Sequence, residues 1–143
     1  MLGGLAVTAV VATSTYLGLP GHAPAAGVSD ASPPDVLSSV RDGRLLLVDV
    51  RRPDEWERTG LAEGALPIDM RRPDFVEAVR QARLDATQPV ALICARGVRS
   101  QRLTTRLIDA GITPIVDVPE GMLGSFAGPG WLKRGLPVVA WTG

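Results

Sequence analysis

The sequence predicts an α/β fold: a small, mainly parallel central sheet flanked by helices on both faces. Two observations carry this reading. Residues 45–48, 90–93 and 115–116 with 118 form short apolar runs that do not alternate with polar residues, apart from Asp117. Strands buried on both faces read this way. Stretches with helical spacing separate the runs, so strand and helix alternate along the chain. In such sheets ligands bind at the carboxyl ends of the strands. The runs that end at Asp49 and Cys94 deliver polar groups to that edge.

Residues 1–26 differ in character from the remainder. Leu2 to Leu19 carries no charge, Pro20-Gly21 breaks the run, and Ala23-Pro24-Ala25 supplies small residues at a cleavage position. A secretory signal peptide has this pattern, and a retained N-terminal anchor is the alternative. No Lys or Arg precedes the apolar run. Residues 27–143 are then one domain, expected outside the cytoplasm: periplasmic, secreted, or membrane-anchored and facing outward.

Residues 25–30 read as a linker. Ser32 is a good N-cap with Pro33 at the first helical position, Val36, Leu37 and Val40 form an apolar stripe, and Gly43 closes the helix. The strand of 45–48 leads into Asp49-Val50-Arg51, and Pro53 opens a short helix with Glu55 and Trp56. Residues 60–64 are a turn and 65–70 hold a short strand. Pro73 starts a helix carrying Phe75, Val76, Val79 and Ala82. The second buried strand is 90–94, a helix follows over 100–110, and a third strand covers 115–118. Residues 120–130 contain four glycines and form a loop. Trp131 to Arg134 makes a helical turn, and Gly135-Leu136-Pro137-Val138-Val139 ends as an edge strand, where proline is tolerated.

The stretch with chemical content is Cys94-Ala95-Arg96-Gly97-Val98-Arg99-Ser100. It places the only cysteine between a strand and a helix, where free helical N–H groups and the helix dipole favour an anion such as a thiolate. Gly97 permits the left-handed backbone that turns successive N–H groups inward. A lone cysteine is most often inert packing, but a packed thiol needs neither the glycine nor the two arginines. Trp56, Trp131 and Trp141 read as packing residues, and Met122 as a pocket-mouth residue or a plain loop position.

Composition narrows the function classes. With 45% apolar and 21% charged residues the chain is ordinary globular protein. Fifteen basic and fifteen acidic residues cancel, so no global field points to nucleic acid. One cysteine excludes an internal disulfide. The only histidine, His22, lies outside the expected domain, which argues against a histidine metal site or a Cys–His pair. No metal and no cofactor is expected, and a monomer is.

Four pieces of the chain, taken together, resemble the rhodanese family. They are Leu47-Val48-Asp49-Val50-Arg51 with Pro53 and Glu55-Trp56, the turn Gly60…Gly64-Ala65, the loop Cys94-Ala-Arg-Gly97-Val-Arg-Ser100, and Trp131…Gly135-Leu136-Pro137-Val138. The family's usual turn histidine is replaced by Leu61, and residues 119–130 are longer than its usual connection. The resemblance implies transfer of a sulfane sulfur: Cys94 takes sulfur from thiosulfate or glutathione persulfide, holds it as a persulfide, and passes it to cyanide or a thiol. It implies that Ala95, Arg96, Gly97, Val98 and Arg99 bind substrate, with Arg96 the first choice for the anion contact. Arg99 either shares that role or folds back to Asp49 or Glu55. Asp49, Arg51 and Ser100 support the loop, Asp49 and Arg51 as ion pairs beneath it. A non-turnover persulfide carrier or sulfur-sensing module is the alternative. A phosphatase or arsenate reductase of related fold fits less well: that loop has five residues between Cys and Arg, against four between Cys94 and Arg99.

Overall fold

A computed structural model describes residues 26–143, and the expected signal or anchor segment lies outside the described residues except for Ala26. The strands are β1 (Val28–Asp30), β2 (Leu46–Asp49), β3 (Leu61–Ala62), β4 (Leu66–Pro67), β5 (Val90–Ile93), β6 (Ile115–Asp117) and β7 (Val138–Val139). The helices are α1 (Pro33–Arg41), α2 (Pro53–Thr59), α3 (Phe75–Ala82) and α4 (Val98–Asp109). Five strands form one parallel sheet in the order β1-β6-β5-β2-β4. β3 and β7 pair antiparallel as a separate ribbon.

Each apolar run became a strand because both of its faces are covered. On one face, Val48, Val90, Leu92 and Ile115 pack with Phe75 and Val79 of α3 and Leu103 and Leu107 of α4. The Arg106 guanidinium sits 5.6 Å from the Phe75 ring centre and ties those two helices together. On the other face, Leu47, Ala91 and Ile93 meet Val36 and Leu37 of α1, with Met122 and Trp131 of the C-terminal segment. Side chains alternate between faces along a strand. Cys94 continues the Val90 and Leu92 set, which points it at α4.

Four details depart from the sequence expectation. The linker contributes β1, which completes the sheet edge by parallel pairing of Val28 with Ile115 through Asp30 with Asp117. Three residues with one apolar member carry too little periodicity to read as a strand. Leu61 and Ala62, expected in a turn, are buried and pair with Val139 and Val138. α4 begins at Val98 rather than Ser100 because its cap is the backbone of Gly97, which has no capping side chain to read. Met122 is fully buried in the core rather than at a pocket mouth. Trp131 is also buried, and Trp56 stacks edge-on with Trp141 at 5.2 Å.

Leu92, at the centre of β5 and fully buried, tests this packing. Leu92→Ala is expected to lower unfolding free energy by about 2–5 kcal/mol, measured by urea denaturation.

Candidate active site

β5 ends at Ile93, and the chain turns through Cys94 to Gly97 before entering α4. Gly97 has φ +85°, a conformation that side-chain-bearing residues rarely adopt. A Cβ there would also overlap the Pro119 carbonyl. The turn aims the Gly97 N–H at Cys94 Sγ, 3.1 Å away. Ser100, one turn into α4, lies with its Oγ 3.6 Å from the sulfur and donates to the Gly97 carbonyl at 3.1 Å. The cysteine is only 1% exposed.

The segment after β6 lies directly against this turn. Met122 N–H donates to the Cys94 carbonyl and Leu123 N–H to the Ala95 carbonyl, both at 2.8 Å. Gly121, at φ +64°, permits the approach, since a Cβ there would overlap the Ala95 carbonyl. Arg96 Nη1 donates to the Gly124 carbonyl at 3.1 Å. Arg96, expected to be the anion contact, is tethered by one nitrogen to the glycine-rich loop.

Arg99 folds back. Its Nη1 and Nη2 donate to Glu55 Oε2 and Oε1 at 2.7 and 2.6 Å, a bidentate pair. Glu55 also accepts the Arg52 N–H at 3.0 Å and so caps α2. Its carboxyl is held down to about 2, first by the Arg99 hydrogen bonds, against the opposing effect of burial. The loop arginine most exposed to sequence ambiguity is thereby a strut between α4 and α2.

Asp49 and Arg51 are both buried, and they pair with each other. Arg51 Nε and Nη2 reach Asp49 Oδ1 and Oδ2 at 3.0 and 2.8 Å, and the same guanidinium donates to the Gly60 carbonyl and Thr59 Oγ1. One arginine thus fixes the end of β2 to the end of α2. Val98 is exposed at the start of α4, and Ala95 is half-buried.

Two groups at this edge were not singled out from the sequence. Glu120 is buried and clamps the glycine-rich loop at its base. It accepts from Gly130 N–H at 2.9 Å and from Arg134 Nε and Nη2 at 2.7 Å each. Asp117, 4% exposed, ends β6 on the cysteine's side of the sheet, paired in register with Leu92. Its Oδ1 has no hydrogen-bond partner among the described residues. Burial raises its carboxyl to about 6, and the Ser100 hydroxyl pulls the other way. No spacing signal marks either residue, because the surroundings of each are supplied by elements distant in sequence. Among the described residues no three His, Cys, Asp or Glu side chains converge as a metal site.

A thiol at the carboxyl edge of a parallel sheet, facing a left-handed glycine cap and a helix N-terminus, defines an α/β thiol-loop domain. The rhodanese-like domain family matches residues 32–125, and the chain belongs to that family. Thiosulfate sulfurtransferase 16 (chloroplastic) of Arabidopsis thaliana is 31% identical over 102 residues, 65% of this chain and 78% of that one. The tRNA uridine(34) hydroxylase of Chlamydia abortus is 29% identical over 96 residues. That match takes in 64% of this chain but spans only 29% of the hydroxylase. Among solved structures, the polysulfide-sulfur transferase homodimer of Wolinella succinogenes superposes with TM-score 0.62 at 25% identity, covering 80% of each chain.

Two measurements follow. Arg51→Met leaves Asp49 buried without its partner and is expected to cost about 3–5 kcal/mol in urea unfolding. Asp49→Leu combined with Arg51→Met is expected to recover much of that loss. For Asp117 the folded state binds the proton more tightly than the unfolded state. Its contribution is therefore fully present below the unfolded pKa and is lost as pH rises through about 6. Asp117→Asn should be more stable than the parent at pH 7.5, on the order of 2 kcal/mol. That advantage should vanish by pH 4, as read from paired thermal melts.

Proposed function

We propose that the protein is a sulfurtransferase that carries a sulfane sulfur on Cys94. One observation carries the reading: the Gly97 N–H points at Cys94 Sγ from 3.1 Å, in a turn that buries the sulfur against α4. Membership of the rhodanese family supports it, as do relatives named for thiosulfate and polysulfide sulfur transfer.

In the first half-reaction the Cys94 thiolate attacks the outer sulfur of thiosulfate. The S–S bond to the sulfonate sulfur breaks, and sulfite leaves with the electron pair. A Cys94 persulfide remains. In the second half-reaction a thiophilic acceptor attacks the outer sulfur and Cys94 leaves as thiolate. The backbone N–H that faces the thiolate also faces the persulfide, so one turn serves both states. Arg96 receives the departing anion with the guanidinium nitrogens left over from the Gly124 bond. Arg99 acts through Glu55 to hold the turn in place, and Asp49, Arg51 and Ser100 support it from beneath. Thiosulfate and glutathione persulfide are the donors proposed, with cyanide or a thiol as acceptor. The uncharged run from Leu2 to Leu19 and the Ala23-Pro24-Ala25 site support action outside the cytoplasm by residues 27–143.

The test is intact-mass spectrometry of the full chain after exposure to thiosulfate, beside a thiocyanate assay with cyanide. The parent protein should gain one sulfur, about 32 Da, and form thiocyanate. Cys94→Ala should do neither. Absence of any mass gain with both thiosulfate and glutathione persulfide overturns the reading. A gain that cyanide cannot discharge assigns the carrier role instead.

A further inference from the structure

Sulfur transfer through Cys94 starts from a thiol, and the thiol proton needs a destination. The chain's only histidine, His22, lies outside the described residues. Water has little access to the sulfur, because Cys94 is buried. The thiol's own hydrogen bond gives a direction: Cys94 Sγ donates to Ser100 Oγ at 3.6 Å. Ser100 is fully buried, and its hydroxyl hydrogen goes to the Gly97 carbonyl. Rotation about the Cβ–Oγ bond alone re-aims that hydrogen.

Asp117 is the group it can be re-aimed at. Asp117 is in register with Leu92, so it faces α4 as Leu92 and Cys94 do. Among side chains, Ser100 acts most strongly on the Asp117 carboxyl, favouring its charged form. The carboxyl is buried, and its Oδ1 has no hydrogen-bond partner among the described residues. Buried carboxylate oxygens are normally satisfied. This one keeps a free lone pair one hydroxyl away from the sulfur. The other charged groups nearby are few. Asp30 of β1 stands beside Asp117. Arg99 faces the sulfur and is paired with Glu55, and Asp49, paired with Arg51, lies near Arg99. Among the described residues no cation pairs with Asp117. Two buried anions one hydroxyl apart repel strongly, because little water screens them. A Cys94 persulfide beside an ionised Asp117 is such a pair, and one proton passed between the two sites avoids it.

We propose that Asp117 holds the Cys94 proton, delivered through the Ser100 hydroxyl, for as long as the sulfur is a thiolate or a persulfide. The inference rests on the sulfurtransferase reading above. In loading, the thiol S–H bond breaks, and Ser100 Oγ takes that proton while giving its own to the Asp117 carboxylate. The sulfur attacks the outer sulfur of thiosulfate, and sulfite leaves with the electron pair. Asp117 is then a neutral acid beside the persulfide anion. Once an acceptor has removed the outer sulfur, the proton returns by the same route to the Cys94 thiolate. The pair carries one negative charge at every stage. Asp117 touches no substrate and acts only through Ser100.

Infrared difference spectra of the full chain before and after thiosulfate test this, with intact mass recorded on the same samples. At pH 7.5 the parent should gain a protonated-carboxyl C=O band, shifted in D2O, as its mass rises by one sulfur. Asp117→Asn should gain the sulfur without the band. Its loading rate at pH 7.5 should fall on the order of a hundredfold, the scale of a lost proton acceptor. In the parent, loading should slow as pH drops through about 6, where the buried Asp117 is already protonated. That limb should be absent in Asp117→Asn, whereas a merely structural role would leave it in place. Ser100→Ala removes the bridge alone and should load slowly while the band still forms. Parent-like loading in Ser100→Ala overturns the route. Sulfur gain with no new carboxyl band in the parent, or a band that survives in Asp117→Asn, overturns the shared proton and leaves sulfur transfer standing. A parent chain that gains no sulfur overturns the sulfurtransferase reading, and this inference with it.

Discussion

The cysteine turn and the segment after β6 lie backbone against backbone, and the rest of the edge depends on that contact. Met122 and Leu123 donate main-chain hydrogen bonds to Cys94 and Ala95, and the approach is possible only because Gly97 and Gly121 lack side chains. The contact satisfies the turn's carbonyls, which would otherwise sit buried and unpaired. It also fixes where the loop beyond Leu123 can go. The sulfur's position is therefore set from two directions, by the end of β5 and by the chain following β6.

The arginines around the site divide into two groups. Arg51, Arg99 and Arg134 are each paired bidentately with a carboxylate that fastens one element to another. Their charge is largely neutralised and their role is mechanical. Among the described residues Arg96 and Lys133 form no ion pair with a carboxylate. An exposed pair contributes little to stability, so geometry matters more than number here: the paired guanidinium groups hold surfaces together, and the unpaired cations remain available to an anion.

Much of this was legible in the chain itself. The buried strands show because residues apolar at successive positions have few alternatives in a short run, and the Pro and Ser signals around Ser32 and Pro53 mark helix starts through local chemistry. The cysteine turn is legible because Cys94, Gly97 and the helix after it are neighbours in sequence. β1 was missed because its pairing partner, β6, lies far along the chain and supplies the reason for its existence. The tether of Arg96 to Gly124, the grip of Glu120 on Arg134 and the burial of Asp117 were hidden for the same reason. Arg99 was narrowed to two roles, and only the position of Glu55 at the start of α2 decides between them.

The grip of Glu120 on both Gly130 and Arg134 has a consequence for how such a domain can change over time. Both stems of the loop are fastened independently of what lies between them: the first by Met122 and Leu123 on the cysteine turn, the second by the Glu120 carboxylate and the buried Trp131. Ser125 donates to the Pro119 carbonyl and a Cβ at Gly128 would overlap the Glu120 carboxylate, so the positions open to change are Phe126 and Ala127 at the exposed tip. That tip can be lengthened or rewritten without moving the sulfur, because loop length adds only a slowly growing entropic cost between fixed ends. A lineage can alter what approaches the cysteine while inheriting the chemistry intact.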